Sequence, residues 1–268
     1  LQGGLNFNYT RTSDYATVKD LLGGEFWRDV DGFAERELNN PNANPDIIQN
    51  NLNNPNRHAK KGDRIGWDYN IHALKAQAWL QNQINLPKWD INYGLSMSYE
   101  QFYRDGLMRN GRAPENSFGR SATLHFDDAM IKAGATYKLD GRNHFSIRAQ
   151  YGTVAPIIND VYISPRIKDT TIGDVRSTRV FSIDGTYTWN YRRFRGSISA
   201  YFTDMNYATE RYGFWDESIN AFCNFALTGV HRQYKGIELG MAYQITSSLQ
   251  ATFAGNFSRY RYANNPMG

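Results

Sequence analysis

The sequence predicts an all-β protein, a segment of an antiparallel transmembrane β-barrel, on the strength of three observations. Apolar and polar residues alternate with a period of two, which places them on opposite faces of a sheet. The alternation lasts for about ten residues in each of four consecutive strands between Thr178 and Tyr262, whereas soluble strands usually stop near five or six residues. Short and long connections alternate along the chain, as they do in outer-membrane barrels.

The same alternation along the whole chain predicts about nine long strands. They are expected at Leu1–Thr10, Tyr69–Leu80, Trp89–Tyr99, Ile131–Leu139, Phe145–Tyr151, Phe181–Trp189, Phe194–Phe202, Ile237–Ile245 and Leu249–Phe257. A less regular pattern at Ile71–Ala73 predicts a β-bulge there. Nine is an odd number, and single-chain bacterial barrels have even strand numbers, which indicates part of a larger barrel.

The predicted connections separate by length onto the two ends of the sheet. The short turns are 81–88, 140–143, 191–193 and 247–248, and we assign them to the periplasm. The long connections are 11–64, about 103–126, 153–177, 207–231 and the chain from 263 onward, and we assign them to the extracellular side. We therefore interpret residues 1–268 as one partial outer-membrane β-barrel domain.

The longest connection, residues 11–64, has a pattern of its own. Within Asp20–Leu38 several apolar residues recur at helical spacing, which predicts helical turns in this extracellular loop. These residues are Phe26, Val30, Phe33 and Ala34, followed by Glu37. The Asn- and Pro-rich stretch Asn39–Asn56 that follows cannot form a regular strand, because proline donates no ladder hydrogen bond.

Composition excludes several classes of protein. The 268 residues have a mean hydropathy of −0.63 and contain no apolar run of the roughly 18–20 residues that a membrane-spanning helix needs. The 30 basic and 26 acidic residues are interspersed, so the net charge of +4 gives no indication of nucleic-acid binding. Cys223 is the only cysteine, which excludes a disulfide framework. On composition alone, a tyrosine-rich soluble β-sandwich remains an alternative.

Candidate functional residues follow from the predicted topology. Aromatic side chains in the connection 207–231 are candidates for substrate contact, since aromatic anchors are frequent at binding sites; the alternative, which is the commoner role of such rings, is that they pack the loop against its neighbours. These four are Tyr212, Phe214, Trp215 and Phe222. Polar residues of the predicted strands are expected to line the lumen. These six are Arg148, Gln150, Asp184, Arg195, Glu238 and Gln244.

The search for reactive or metal-binding motifs gives little. Asp29, Asp31 and Asp63 could bind Ca²⁺ in an extracellular loop, or could simply cap loop hydrogen bonds, so metal binding stays open. No pair of histidines has metal-ligand spacing. No nucleophile motif, phosphate loop or dinucleotide fingerprint is present. We therefore expect a protein that is not an enzyme and needs no cofactor.

Three stretches of the predicted loops resemble those of TonB-dependent outer-membrane receptors of the Bacteroidetes type. The first comprises Asp20–Gly24, Asp29–Arg36, Asn51–Arg57 and Gly62–Asp63. The second comprises Ala155–Pro156 and Asn159–Arg166, and the third comprises Asn224–Val230 leading into Gly236–Gly240. The resemblance extends over most of the chain in the order of the predicted strands. It is specific for the receptor superfamily and does not indicate a substrate.

The resemblance implies an outer-membrane location, a 22-stranded barrel with an N-terminal plug, and import of a bulky nutrient such as an oligosaccharide, a peptide or a metal chelate. The implied partners are outer-membrane lipids, TonB acting through the plug segment, and, as a further candidate, a surface lipoprotein. Residues 1–268 contain no segment resembling the plug or a TonB box, so we interpret them as an interior part of the barrel. The alternatives are a non-energised or secretion-associated outer-membrane barrel, and a soluble β-rich binding or adhesion module.

Overall fold

In a computed structural model, which describes residues 1–35, 44–218 and 221–266, nine long antiparallel strands form one continuous sheet. The long strands are β1 (Gln2–Thr17), β4 (Arg64–Asn85), β5 (Trp89–Gly106), β7 (Leu124–Lys138), β8 (Asn143–Val154), β9 (Thr178–Asn190), β10 (Phe194–Asp216), β11 (Ala221–Gln244) and β12 (Gln250–Tyr262). Two-residue strands lie between them: β2 (Trp27–Arg28), β3 (His58–Ala59) and β6 (Gly119–Arg120). Each long strand pairs with the next along the chain, and β1 and β12 are the two edges of this open sheet. The predicted fold class is confirmed.

The connections confirm the predicted separation and correct one of its members. Short turns join β4 to β5, β7 to β8, β9 to β10 and β11 to β12 at one end, and residues 18–63, 107–123 and 155–177 connect strands at the other. The expected long loop 207–231 is wrong, because β10 and β11 continue past their predicted ends and pair as far as Asp216–Ala221. The register of the pairing shifts near Ala208. The shift interrupts the alternation of apolar and polar residues, so the sequence pattern does not reveal that the strands continue.

Two smaller expectations in β4 also change. Residues 81–85, expected in a turn, belong to the strand, and the turn is limited to 86–88. The bulge expected at Ile71–Ala73 is absent from that stretch, where the pairing with β1 is regular; the irregularity lies between Tyr15 and Ala16 instead. Opposite it, Gly66 takes a positive φ of 74°, a conformation that glycine adopts without steric cost.

The described parts of the connection 18–63, residues 18–35 and 44–63, form a small cap beside the β1–β4 hairpin. Trp27–Arg28, inside the stretch of helical spacing, pairs as β2 with β3, and Val30 forms an isolated bridge with Gln49. A 3-10 turn spans Pro45–Ile48. Glu37, Pro41 and their neighbours between 36 and 43 lie outside the described residues.

Strand register divides the side chains of the sheet into two faces. Arg148 of β8 is opposite Asp184 of β9, Asp184 is opposite Tyr201 of β10, and Tyr201 is opposite Gly236 of β11. These positions and the alternate residues on the same strands form what we call the polar face. The other alternate residues form the apolar face, which carries exposed side chains on every long strand. They include Leu5, Phe7, Leu80, Leu95, Met97, Ile131, Ile147, Ile198, Ile237, Phe253 and Phe257.

The exposure of the apolar face decides between two of the sequence hypotheses. In a soluble sandwich this face would pack against a second sheet. Ile237 and Phe253 instead expose 50% and 56% of their surface, and the other sheet among the described residues is the two-stranded β2–β3 ribbon. A contiguous apolar surface of this size indicates contact with lipid or protein. None of the described residues forms a helix long and apolar enough to cross a membrane.

Aromatic rings cluster on the apolar face next to the short turns. The ring centroids of Trp89 and Tyr137 are 4.7 Å apart, and those of Trp189 and Phe194 are 5.7 Å apart. Tyr243 lies opposite Phe194 on the next strand. Rings at this level match the aromatic girdle that flanks the lipid-facing band of outer-membrane barrels.

Candidate functional site

All six polar residues singled out by sequence lie on the polar face, as the register of the strands dictates. Arg148 and Asp184 form an ion pair across β8 and β9, with Nη2 and Oδ2 3.0 Å apart. Asn92, Lys132, Gln150 and Ser182 join this pair around a shallow depression of about 380 Å³. The remaining three form weaker exposed contacts: Arg195 with Gln250, Glu238 with Asn256, and Gln244 with the carbonyl of Thr246. These groups make the middle of the face hydrophilic.

A cluster of tyrosines lies on the same face nearer the long connections, where β10, β11 and β12 run side by side. Tyr234 and Tyr260 are directly opposed on β11 and β12, and their ring centroids are 5.3 Å apart. The Tyr201 hydroxyl is 3.1 Å from that of Tyr260, although β11 separates their strands. The reach is possible because Tyr201 crosses Gly236, where an added Cβ would lie 2.8 Å from the tyrosine hydroxyl.

The tyrosine cluster continues to a buried acid. Glu210 of β10 is 7% exposed and forms an ion pair with Arg232 of β11, with Oε1 and Nη1 3.0 Å apart. The hydroxyls of Tyr212 and Tyr262 both donate to Glu210 Oε2 and lie 3.2 Å from each other. The hydrogen bond to the Glu210 carboxylate, followed by that to Tyr262, raises the pKa of Tyr212 above its usual range. The Tyr212 hydroxyl therefore stays protonated at neutral pH.

We define the tyrosine wall as the set Tyr201, Tyr212, Tyr234, Tyr260 and Tyr262 with the Glu210–Arg232 pair. Tyr260 and Tyr262 expose 60% and 52% of their surface, so the wall presents rings to the space in front of the polar face. A ring with a hydroxyl offers an apolar surface and a hydrogen-bonding group at low conformational-entropy cost. The tyrosine wall can therefore contact a large ligand through its rings and hydroxyls alone.

Two of the four aromatic residues predicted to contact substrate belong to this neighbourhood, and two do not. In the extended β10–β11 hairpin, Tyr212 is opposite Phe225, and Phe214 is opposite Cys223 on the same side as Tyr212. Trp215 and Phe222 face each other on the other side of the hairpin. The structure thus places the four residues in two exposed pairs on opposite faces.

The connection 155–177 lies over the polar face between β5 and β7. Phe102 and Phe126, both polar-face positions, are buried with Val161 and Tyr162 in an apolar cluster. The Phe102 ring is 5.7 Å from Phe126 and 6.4 Å from Tyr162, measured between centroids. Large apolar residues on the polar face are thus explained by the loop that covers them.

Arg104 fixes this connection to its neighbour. Its side chain is 1% exposed; Nε donates to the Pro165 carbonyl at 2.7 Å, and Nη1 donates to the Ser117 carbonyl at 2.8 Å. Burial lowers the pKa of Arg104 from its ordinary value, with Asp169 acting in the opposite direction. Burial also raises the pKa of the adjacent Tyr69 to about 12. The connections 107–123 and 155–177 are therefore held together by one buried cation.

The three aspartates considered as calcium ligands are engaged by protein groups in and next to the loop 18–63. Asp29 accepts hydrogen bonds from Asn50 and the amide of Gly66. Asp31 accepts from the amides of Phe33 and Ala34 and contacts Arg112. Asp63 accepts from the Lys60 amide and pairs with Arg57. Among the described residues, no group of three potential ligands is arranged to hold a metal ion.

Sequence reasoning missed most of the tyrosine wall, as well as Arg104. The alternation did contain a signal for Tyr201, Tyr234, Tyr260 and Tyr262, because each occupies a position of polar phase, where a large ring is unusual. Arg104 likewise lies in polar phase, but only the tertiary fold brings the carbonyls of two distant connections to it.

The sheet is open and antiparallel, its strands are long, one face exposes apolar side chains, and the long loops lie at one end. These features define a segment of an outer-membrane β-barrel. Comparison with protein families gives a match of residues 1–267 to the model described as TonB dependent receptor-like, beta-barrel. The chain belongs to this family, and it is an outer-membrane protein. The long connections are accordingly extracellular and the short turns periplasmic.

Solved structures of low sequence identity share the fold. The ferric-catecholate import receptor Fiu from E. coli K12, in its closed form, matches with a TM-score of 0.58 at 13% identity over 98% of this chain and 35% of that chain. The copper transporter OprC matches with 0.57 at 14% identity over 74% and 30%. The FrpB iron transporter from Neisseria meningitidis matches with 0.52 at 14% identity over 72% and 26%. The chain thus spans about a third or less of these structures. No curated protein matches it.

Proposed function

We propose that the chain forms part of a TonB-dependent transporter that imports a bulky nutrient across the outer membrane. The polar face lines the lumen, and the tyrosine wall is part of the extracellular site that captures the substrate. The observation that carries the proposal is the exposure of Tyr260 and Tyr262 beside the buried Glu210–Arg232 pair, directly below the extracellular connections. TonB supplies energy through a plug segment of the complete receptor.

The chemistry of the wall fits a large ligand with both apolar and hydroxylated surfaces. Tyrosine rings stack on sugars, aromatic chelators and peptide side chains, and their hydroxyls exchange hydrogen bonds with bound water or ligand. The Glu210–Arg232 pair anchors two of these hydroxyls and leaves no net charge in the wall. An oligosaccharide, a peptide and a metal chelate are therefore all proposed substrates. The proteins of similar fold are an iron transporter, a copper transporter and a ferric-catecholate import receptor, so metal chelates are the first group to test.

The direct test measures ligand binding by the full-length receptor purified from its outer membrane, screened against the three ligand groups by calorimetry. The variant Tyr260→Ala/Tyr262→Ala should weaken binding about 30-fold, since central aromatic anchors contribute about 2 kcal/mol. The matched control is Phe257→Ala, which removes a ring from the apolar face of the same strand. If both variants bind equally well, or the control loses as much, the tyrosine wall does not capture substrate.

Energy coupling is tested separately by uptake into cells with and without TonB. Dependence on TonB supports the transporter, and uptake that persists in its absence supports the alternative of a non-energised or secretion-associated barrel. The soluble adhesion module is disfavoured by the exposed apolar face and by membership of an outer-membrane family. No catalytic step is proposed for this chain.

A surface lipoprotein remains a candidate partner, in keeping with the resemblance to Bacteroidetes receptors. The side of the β10–β11 hairpin that carries Trp215 and Phe222 is the proposed contact, because both rings are exposed and face away from Tyr212. Tyr212 and Phe214, on the side that contains Glu210, are proposed to contact substrate. Trp215→Ala should then reduce co-purification of a lipoprotein and leave the affinity for free substrate unchanged.

A further inference from the structure

The apolar face ends abruptly at its extracellular edge on β11 and β12. Ile237 and Phe257 are directly opposed there and expose 50% and 82% of their surface. The next pair on the same face, two residues further along each strand, is Lys235 opposite Arg259. Two residues of a strand span about 6.6 Å. The two cations therefore lie immediately beyond the lipid-facing band.

This pair carries two like charges at positions where they repel. Like charges directly opposite each other in an antiparallel pair destabilise a sheet. Arg261 adds a third cation on the same face of β12, although its guanidinium donates to Gln233 Oε1 at 2.7 Å. Among the residues that the structure describes, neither Lys235 nor Arg259 forms an ion pair. The acid of the neighbouring strand, Asp204, already accepts hydrogen bonds from His231 and Gln233. An external anion would offset this repulsion.

The distribution of charge along the whole apolar face indicates where such an anion would bind. In the strands of the main sheet, as far as they are described, all arginines and lysines of this face lie at its extracellular end. They include Arg11, Arg64, Arg120, Arg179, Lys235, Arg259 and Arg261, of which Arg64 pairs with Asp68 and Arg120 is opposite Asp105. The periplasmic end carries aromatic rings instead, among them Trp89, Trp189 and Tyr243. At the periplasmic end the basic residues lie in the turns, as Arg192 and Arg193 do, and none lies on this face of the described strands. The strand positions of Lys235 and Arg259 therefore favour an anion at the level of the outer-leaflet headgroups.

We propose that Lys235 and Arg259, supported by Arg261, bind the phosphate group of an outer-leaflet glycolipid whose acyl chains lie against Ile237 and Phe257. Arginine matches phosphate oxygens with two parallel N–H donors, and lysine adds a point charge. The apolar pair below and the cation pair above are in register on the same two strands. The site therefore recognises a molecule that joins a phosphate to an acyl chain. It depends on the outer-membrane location and is independent of the transported substrate.

The test uses the full-length receptor in detergent and measures the binding of diphosphorylated lipid A by native mass spectrometry. Lys235→Gln/Arg259→Gln should weaken binding about 30-fold, since each cation near an anionic surface contributes roughly a factor of five. The control Arg192→Gln/Arg193→Gln removes the same charge from the periplasmic turn and should leave binding unchanged. Lys235→Arg keeps the charge and should retain binding. Heat-modifiable migration on a denaturing gel verifies that every variant is folded.

Four outcomes would overturn the proposal. Undiminished binding by the folded double variant would show that the pair is not the site, and an equal loss in the control would reduce the effect to net charge. Equal affinity for dephosphorylated lipid A would remove the phosphate from the argument. Displacement of the lipid by inorganic phosphate at equimolar concentration would assign the site to a free anion instead of a membrane lipid.

Discussion

Replacing Leu239 with arginine tests the assignment of the apolar face most directly. On β11 the apolar face extends from Tyr243, beside the periplasmic turn, to Lys235 at the extracellular edge, and Leu239 lies halfway between them. Eight residues at about 3.3 Å each extend about 26 Å along the strand, and a tilt near 40° leaves about 20 Å across the membrane. This is close to the apolar band of about 25 Å in such barrels. Leu239 therefore lies near the midplane.

The destabilisation expected for Leu239→Arg follows from the depth of Leu239 in the membrane. An arginine on the lipid face at the midplane costs about 2–4 kcal/mol. The neighbouring Glu238 lies on the polar face, and its replacement by alanine removes one exposed hydrogen bond from Asn256, so it should cost at most about 1 kcal/mol. The pair is a matched test, because the two residues are adjacent on one strand and differ in the face that they occupy.

The assay is urea-induced unfolding of the full-length protein refolded into phospholipid vesicles. Leu239→Arg should lower the free energy of unfolding by at least twice the loss caused by Glu238→Ala. Equal losses, or a larger loss for Glu238→Ala, would mean that the apolar face does not contact lipid, and the assignment of the two faces would have to be reversed or abandoned.

Three further predictions concern the extracellular connections. Arg104→Met leaves two buried carbonyls without donors, costs about 1–3 kcal/mol, and should speed amide hydrogen exchange in 155–177; unchanged exchange would contradict the anchoring role. Gly106→Ala places a Cβ on the carbonyl of a packed loop and should destabilise the protein, whereas Gly240→Ala, which has nothing within 4 Å, should not. Tyr69 has a pKa of about 12, against 10 in the unfolded chain, so the alkaline ultraviolet titration of Tyr69→Phe should lack one late-titrating tyrosine. Because the pKa is raised in the folded state, the unfolded chain loses this proton first, and the loops are destabilised as pH rises from 10 towards 12.

The strands could be predicted from sequence because lipid imposes the same alternation on all of them. From Tyr243 to Ile237 every second residue of β11 faces hydrocarbon, and the intervening residues do not, so the period of two is unbroken. Outside the membrane this constraint ends. β10 and β11 continue beyond Asp204 with shifted register near Ala208, and without a lipid-facing pattern the continuation was predicted as a loop.

The candidate site was predictable only in part, for a related reason. Polar residues such as Asp184 follow from the alternation alone, because their face is fixed by the register of a single strand. The role of Glu210 depends instead on Arg232, Tyr212 and Tyr262, which three strands bring together. Such a cluster has no local sequence pattern, and only the pairing of β10 with β11 and of β11 with β12 defines it.

The two faces also differ in how they end, and this difference bears on function. On the polar face the extracellular edge of β5 and β7 is covered by protein: Phe102 and Phe126 are buried beneath Tyr162, and Arg104 fixes the covering connection. On the apolar face the corresponding edge near Lys235 and Arg259 is left open and charged. If the polar face lines the lumen, as we propose, the connection over β5 and β7 would restrict access to the interior, while Lys235 and Arg259 would hold the barrel at a fixed depth through the lipid around it.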